Sequence, residues 1–191
     1  FAIEAEAGRV EAPQDGFIDI AGTSFVVPDI AVDKGPAEVA VRTDSTITAA
    51  LSLLDLPPLG YITPAGLPVD LAAGRAEVTT HLRFPLIGHI PAEAFETTAT
   101  ARLSGVESAS LVPGRTLRAE ALDLSIAEGA LSVSGPASLG DLPFRGRFTT
   151  GLGPGSGPAT VTGTAAITAG ALSEFGLAAP PGMVSGQGQA E

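Results

Sequence analysis

An all-β fold built mainly from antiparallel strands is the fold class that this sequence predicts, on three observations. Apolar residues alternate with polar ones along many short runs, as at Val78, Thr80, Leu82 and Phe84, and this period of two is typical of strands with one wet face. Turn residues separate the runs at short intervals, beginning with 13–16. Helical patterning is confined to two short segments, whereas a parallel sheet would alternate strands and helices throughout.

The strand-like runs follow one another along the chain and predict about eleven short strands. The clearest of them cover 39–42, 77–84, 95–103, 122–126, 131–135, 144–148 and 160–168. Turn signals rich in Gly, Pro and Asp lie between them at 33–36, 88–91, 113–114, 128–129, 140–143 and 151–158. Because such turns join neighbouring antiparallel strands, we expect hairpins and meanders.

Two short helices interrupt this pattern. The first is predicted over about Thr48 to Leu56, where Pro57 and Pro58 stop it because proline cannot continue the helical hydrogen bonds. The second is predicted over about Thr168 to Phe175 and ends at Gly176. We expect both to be crossovers that carry the chain from one edge of a sheet across an opening to the next set of strands.

A tandem repeat is indicated by residues that recur at a nearly constant offset. The matched positions are Gly16 with Gly129, Ile20 with Val133, Gly22 with Gly135, and Gly74 with Gly186. This spacing predicts a first copy over about 16–82, a second over about 129–191, and intervening strands over 83–128. Repeats of this kind build extended surfaces by stacking, because one unit cannot bury its own apolar face. We therefore expect the 191 residues to be one segment of a longer repeat array.

Composition and charge exclude several classes of partner. The chain is 45% hydrophobic and has no Cys, with 10 basic against 21 acidic residues and a net charge of −11. Nucleic-acid binding requires clustered Lys and Arg, which are scattered here. Anionic lipid headgroups would be repelled on average, so apolar contacts must lead any lipid interaction. No apolar run approaches the roughly 18 to 20 residues of a membrane-spanning helix, and no signal peptide is evident.

A search for reaction chemistry finds little. The sequence contains no nucleophile motif of the Gly-x-Ser-x-Gly type and no phosphate-binding glycine loop. His81 falls on the polar side of its strand, His89 falls in a turn, and no metal-ligand spacing accompanies either. The acidic pairs Asp29 with Asp33 and Asp123 with Glu128 are typical of solvated charges. We expect no catalytic residues, no metal and no cofactor, and hence a protein that is not an enzyme.

A family resemblance becomes specific in the Pro-rich stretch after the first predicted helix. The stretch carries Leu53-Leu54-Asp55, Pro57-Pro58-Leu59-Gly60-Tyr61 and Gly66-Leu67, followed by Gly74 and Arg83-Phe84-Pro85-Leu86. These residues resemble a signature of the AsmA-like proteins of Gram-negative envelopes, the YhdP and TamB class. Later strands, at 103–106, 122–126, 131–135 and 142–144, and the segment 172–177 with Gly186 also fit the family's pattern.

The resemblance implies an elongated, curved open sheet that forms a taco-like groove. It implies a periplasmic protein whose parent is anchored in the inner membrane, and a conduit that carries phospholipid acyl chains between the inner and outer membranes. Both membranes would be contacted through parts of the parent that are not present here. This chain lacks the N-terminal transmembrane helix of full-length members, so it would be a middle section of the conduit.

Candidate lining residues of such a groove are apolar positions of the alternating runs. They are Val39, Val41, Val78, Leu82, Phe84, Leu103, Leu122, Leu124, Ile126, Val133, Val161 and Ile167. Two alternatives remain open. A structural β-repeat or adhesin-like spacer would seal these side chains in a closed apolar core between two sheets, and a hydrolase or lyase would require a polar pocket of converging titratable groups.

Overall fold

A computed structural model describes residues 2–5, 8–26, 36–56, 62–63, 67–87, 94, 96–152, 158–167 and 188–190. The predicted second helix at 168–175 lies outside the described residues, as do His89, Asp29, Asp33 and Gly186. Everything said below about the fold refers to the described part of the chain.

Eleven strands and one helix make up this part of the chain. The strands are β1 (Ala2–Ala5), β2 (Gly8–Glu11), β3 (Phe17–Val26), β4 (Ala37–Thr46), β5 (Ala73–Phe84), β6 (Glu96–Val112), β7 (Arg115–Ala127), β8 (Ala130–Leu139), β9 (Leu142–Gly151), β10 (Thr160–Ile167) and β11 (Gly188–Ala190). The helix, α1, spans Ile47–Leu54 between β4 and β5. The sequence predicted about eleven strands for the whole chain, and the described residues contain eleven.

All eleven strands belong to one open antiparallel sheet. Its order is β1-β3-β4-β5-β6-β7-β8-β9-β10-β11, and β2 also pairs with β3 beside β1. Each described pairing is antiparallel, and from β3 onward each strand lies beside the next one in sequence. This meander confirms the predicted fold class, because each short turn returns the chain along the strand that it has just left.

Helix α1 forms where β4 ends, and both of its ends are capped. The Thr46 side chain accepts a hydrogen bond of 3.1 Å from the Ala49 amide, the usual arrangement at a helix N-terminus. At the other end the Asp55 amide donates to the Leu51 carbonyl, and an Asp55 carboxylate oxygen accepts from the Thr63 amide at 2.7 Å. The predicted helix is confirmed to within two residues at each end.

The connecting role of α1 differs from the expectation. β4 and β5 are direct neighbours in the sheet, paired from Ala37 with Phe84 to Thr46 with Arg75. The helix therefore does not carry the chain across an opening to a distant strand. It is an excursion between two adjacent strands, and it folds back over one face of the sheet because its apolar residues need a surface to cover them.

The two faces of the sheet differ sharply in chemistry. We call inner the face that carries Val39 and Val41 of β4, and outer the face that carries Glu38 and Arg42 of the same strand. Cross-strand register extends these two sets over the sheet, since directly paired residues share a face. Apolar and small side chains dominate the inner face from β3 to β10, whereas charged, Ser and Thr side chains dominate the outer face.

Ion pairs across neighbouring strands cover much of the outer face. They join Arg9 to Asp19, Arg75 to Asp44, Arg83 to Glu38 and Glu96, Arg102 to Asp123, and Arg118 to Glu107. Each pair is solvent-exposed and therefore contributes little to stability. Burying any of these charges against a second sheet would cost more, so the network marks the outer face as the wet one.

The sheet curves around α1 on its inner side. Ile47 belongs to a buried cluster with Ala76, Val106 and Ala119 of β5, β6 and β7. Ala49 belongs to a separate buried cluster with Ala12 and Ile18 at the other flank of the sheet. Ile47 and Ala49 lie about 200° apart around the helix axis. Opposite sides of one helix therefore contact opposite flanks of one sheet, which requires the inner face to be concave.

Glycines on the inner face permit this curvature. A Cβ atom at Gly74 would lie 2.8 Å from the Ser104 carbonyl oxygen, and one at Gly135 would lie 3.0 Å from the Ala121 carbonyl oxygen. At Gly163 the same test gives 2.5 Å to the Arg145 carbonyl oxygen. In each case an added Cβ would clash with the backbone of the neighbouring strand, so the two strands can come this close only because a side chain is missing. Glycine positions of this kind are typical of curved sheets.

Two turns of the predicted repeat agree in backbone conformation. Asp15 and Gly16 have φ of 62° and 92°, and Glu128 and Gly129 have φ of 51° and 70°. Paired positive φ angles are typical of tight hairpins. The strands that follow differ, because β3 and β4 lie between the first turn and α1, whereas β8, β9 and β10 follow the second. The division into two copies stays a prediction.

Replacing Gly74 with alanine should destabilise the sheet by about 1 to 3 kcal/mol. Gly74 has a φ of +128°, and the added methyl group would meet two backbone carbonyl oxygens of β6. Gly22→Ala is the matched control, since nothing lies within 4 Å of a Cβ there, and it should change stability by about 0.5 kcal/mol or less. Urea unfolding measures both free energies, and equal effects would contradict the role given to Gly74.

Replacing Asp55 with asparagine should lower the melting temperature near neutral pH and have no effect in strong acid. Hydrogen bonds from the Thr63 hydroxyl and amide hold the pKa of Asp55 below its ordinary value of 3.8. The stabilisation is therefore fully present above pH 3.8 and is lost as the pH falls through the lower folded-state pKa. Thermal unfolding across this range measures it, and a pH-independent difference would contradict the assignment.

Candidate ligand-binding groove

The apolar residues predicted from the alternation share the inner face. Eleven of the twelve have side chains that the structure describes, and the register places all eleven on this face: Val39, Val41, Val78, Leu82, Phe84, Leu103, Leu122, Leu124, Ile126, Val133 and Val161. Ile167 lies in β10 and pairs with Gly188. Residues from six different strands are thus brought onto one continuous surface.

One row of this surface crosses the sheet without a break. Successive register pairs link Thr43, Val78, Ala101, Leu124, Val133, Phe148 and Val161, from β4 to β10. We call this row the apolar ladder. At about 4.8 Å per strand it is about 29 Å long. Every member except Thr43 has an apolar side chain, so the ladder is a continuous hydrocarbon surface that runs across the strands.

Helix α1 divides the inner face into two parts. Val78, Leu103 and Leu122 pack against the buried cluster that contains Ile47, and Leu51 of the helix packs against the same cluster. We call this the covered part. The open part holds the remaining predicted residues, including Leu82 of β5 and Leu124 of β7. Three of the predicted lining residues therefore pack against the cluster to which the helix contributes Ile47.

The large side chains of the inner face remain accessible. No large side chain in the described part of the chain is fully buried, and the buried hydrophobic residues are mostly alanines. At the β10 end of the ladder Phe148 is 37% exposed and Val161 is 72% exposed. In a closed sandwich the Leu, Val and Phe side chains would be the most buried residues. For the residues that the structure describes, this burial is that of an apolar surface whose large side chains are not sealed by a second layer.

The outer face offers no comparable site. Two shallow depressions on it lie mainly between charged side chains, the first among Arg42, Glu77, Arg102 and Asp123 and the second around Glu38, His81, Arg83 and Glu96. These side chains belong largely to the ion-pair network. His81 is exposed, as predicted. Within the described ranges no group of His, Cys, Asp or Glu residues is arranged to hold a metal ion.

Among the described residues, Arg9, Asp19 and Asp55 have pKa values that depart from their ordinary values, and all three lie outside the groove. A hydrogen bond from the Arg9 guanidinium, followed by its charge, lowers the pKa of Asp19. The same pair raises the pKa of Arg9. Asp19 and Arg9 lie at the β2–β3 flank on the outer face. These groups are structural ion-pair members, since strongly perturbed groups mark a reactive site only where they converge in a cleft.

Several inner-face residues were not predicted as lining residues. Ala101 and Phe148 are members of the apolar ladder, and Leu131 pairs with Ile126 beside it. Phe148 and Leu131 follow the same alternation as the residues that were chosen, so the signal was present in the sequence. Ala101 is small, and only the register shows that it joins Val78 to Leu124.

Comparison with protein-family models, with curated proteins and with solved structures finds no match to this chain. Among the described residues no helix has the length and apolar character that a membrane crossing requires. The groove must therefore be interpreted from its own residues.

Replacing Ser45 with alanine should stabilise the protein by about 1 kcal/mol. Its hydroxyl is buried without a hydrogen-bond partner beside Ala76, whereas the equally buried Ser108 hydroxyl donates to the Leu71 carbonyl and accepts from the amides of Ser110 and Leu111. Ser108→Ala is the matched control and should destabilise by about 1 to 3 kcal/mol. Opposite signs in urea unfolding are expected, and equal losses would contradict the prediction.

Proposed function

We propose that this chain is a segment of a lipid conduit, in which the inner face holds phospholipid acyl chains and lets them move across the strands. Headgroups would remain in water outside the groove. The proposal involves no chemical step, no cofactor and no catalytic residue. The resemblance to AsmA-like proteins adds the setting, namely transport between the inner and outer membranes by a periplasmic protein anchored in the inner membrane.

The apolar ladder is the observation that supports this proposal most strongly. An acyl chain lying along it would meet apolar side chains at each strand, and each buried methylene group contributes about 0.8 kcal/mol. Because the strands are evenly spaced, a chain displaced by one strand meets a similar surface. Binding would therefore be firm while the energy barriers between neighbouring positions stay low, which is what movement along a groove requires.

The exposure of large apolar side chains on the inner face favours this function over the structural spacer. A spacer would derive its stability from a sealed core, and its inner-face Leu and Val side chains would interlock with those of a second layer. Among the described residues, those packed against the two buried clusters that contain Ile47 and Ala49 have that character. The open part exposes apolar surface to water, and binding of a ligand or of another protein would offset the free-energy cost of this exposure. Contiguous apolar patches on soluble proteins are usually binding surfaces.

Charge distribution supports an apolar mode of lipid binding. The ion pairs lie on the outer face, and the described residues of the apolar ladder and of the paired rows on either side of it, such as Thr80 with Ala99 and Leu103 with Leu122, carry no charge. The ladder therefore has no charged group directly beside it to select one headgroup. We therefore expect the groove to bind the acyl tails of any phospholipid. The net charge of −11 disfavours tight docking of the whole protein surface on anionic lipids.

Replacing Leu124 with glutamate should remove most of the bound phospholipid, because a charge in the middle of the ladder would have to be desolvated by each acyl chain. Ser125→Glu is the matched control: it adds the same charge one residue away on the exposed outer face. We expect at least about a tenfold loss of co-purifying lipid for Leu124→Glu and little change for Ser125→Glu. Lipid mass spectrometry of protein purified after export to a Gram-negative periplasm measures it.

A second pair of variants tests whether a loss of lipid results from unfolding of the protein or from the changed surface of the groove. Leu82→Glu lies on the open part of the inner face, and His81→Glu lies beside it on the outer face. Protein abundance and thermal unfolding are measured with the lipid content. Absence of lipid from the unmodified chain, or equal losses in the inner and outer variants, would contradict the conduit. Unfolding of both inner variants would indicate a packed core and favour the spacer.

A further inference from the structure

We infer that α1 is one wall of the groove and that Leu51 sets how wide a hydrocarbon the groove admits over β5, β6 and β7. This inference rests on the proposed function, since it concerns the shape of the ligand that the same surface accepts. It assigns to the helix a selective role, whereas the sequence indicated only a connection between strands.

The position of Leu51 carries the inference. It packs on the buried cluster together with Val78, Leu103 and Leu122. Val78 is itself a member of the apolar ladder, and Leu122 lies two residues from Leu124, another member. Leu51 thus packs on the same cluster as one member of the ladder and as a near neighbour of another, which places it beside the ladder. Leu51 is only half-buried, whereas Ile47 on the same side of the helix is 6% exposed.

The helix is held too firmly to act as a loose cover. Ala49 and Ile47 are buried on its two opposite sides, Thr46 caps its start, and the Asp55 carboxylate binds Thr63 beyond its end. The Ser52 hydroxyl, also buried, donates to the Ala49 carbonyl and accepts from the Gln14 amide at the β2–β3 flank. A helix fixed on both flanks presents a constant boundary, so the width of the groove beside it depends on the side chain at Leu51.

Selectivity follows from this boundary. A straight saturated chain is thin enough to lie along the ladder beside Leu51. A methyl-branched chain carries extra groups along its length, and a fixed wall excludes them because packed interiors do not yield by a methyl group without strain. Shortening Leu51 removes that obstacle. The structure therefore predicts a preference for straight chains that depends on one residue of α1.

Competition between palmitate and phytanate, a straight and a methyl-branched fatty acid, tests the inference on the whole chain. Native mass spectrometry gives the ratio of the two bound forms. The unmodified chain should prefer palmitate, and Leu51→Ala should shift the ratio toward phytanate by about tenfold, the effect of accommodating two further methyl groups. Leu51→Val should give a smaller shift in the same direction, which provides a milder variant if the alanine variant folds poorly.

Two controls separate this inference from the proposed function. Leu51→Met keeps the side-chain volume and should keep the ratio. Leu124→Ala removes apolar surface from a part of the ladder away from α1, and it should weaken the binding of both acids equally. If the unmodified chain binds both acids and neither Leu51→Ala nor Leu51→Val changes the ratio, the wall assignment is wrong while the groove remains. If neither acid binds the unmodified chain, the proposed function itself fails.

Discussion

An amphipathic sheet with only a partial cover is the constraint on which this structure depends. Alternation places apolar side chains on one face of strands β3 to β10, and such a face must be removed from water by something. The usual solution is a second sheet packed about 10 Å away. Here the described chain supplies one short helix, whose Ile47 belongs to the buried cluster against which Val78, Leu103 and Leu122 pack. Under the proposed function, a ligand would cover the rest of the face.

The concave shape of the inner face affects what can cover it. A flat face of this size would invite stacking with any other apolar sheet, including a second copy. Gly74, Gly135 and Gly163 permit close approach of neighbouring strand backbones, and a concave face cannot meet a second copy of itself over its whole area. Under the proposed function, a thin flexible hydrocarbon chain would follow the concave surface that a second sheet could not.

The sequence predicted the fold class and the composition of the inner face because both depend on local alternation. Val39, Leu82, Leu124 and the other predicted residues share a face for that reason. The apolar ladder could not be predicted, because it depends on register across six strand pairs, and register shifts occur at Gly74 and between Ile20 and Gly22. The alternation says which residues share a face; only the pairing says which of them are neighbours.

The surface that α1 covers could not be predicted from the sequence either, for a different reason. Its apolar residues and the following prolines predicted a helix, and Ile47–Leu54 confirms it. Nothing local states which surface a helix will cover. That choice was made by residues distant in sequence, such as Ala76, Val106 and Ala119, whose small or branched side chains leave room for Ile47.

Buried alanines also explain how an open groove can keep its shape without a ligand. Ala49, Ala76 and Ala119 lose almost no side-chain entropy on burial, so the contact between helix and sheet is obtained at little entropic cost. The longer side chains that lose more entropy when fixed, such as Leu124 and Leu82, lie on the open part and are only half-buried. Under the proposed function, longer side chains that are not fixed by packing would let the groove accept acyl chains of different lengths without refolding.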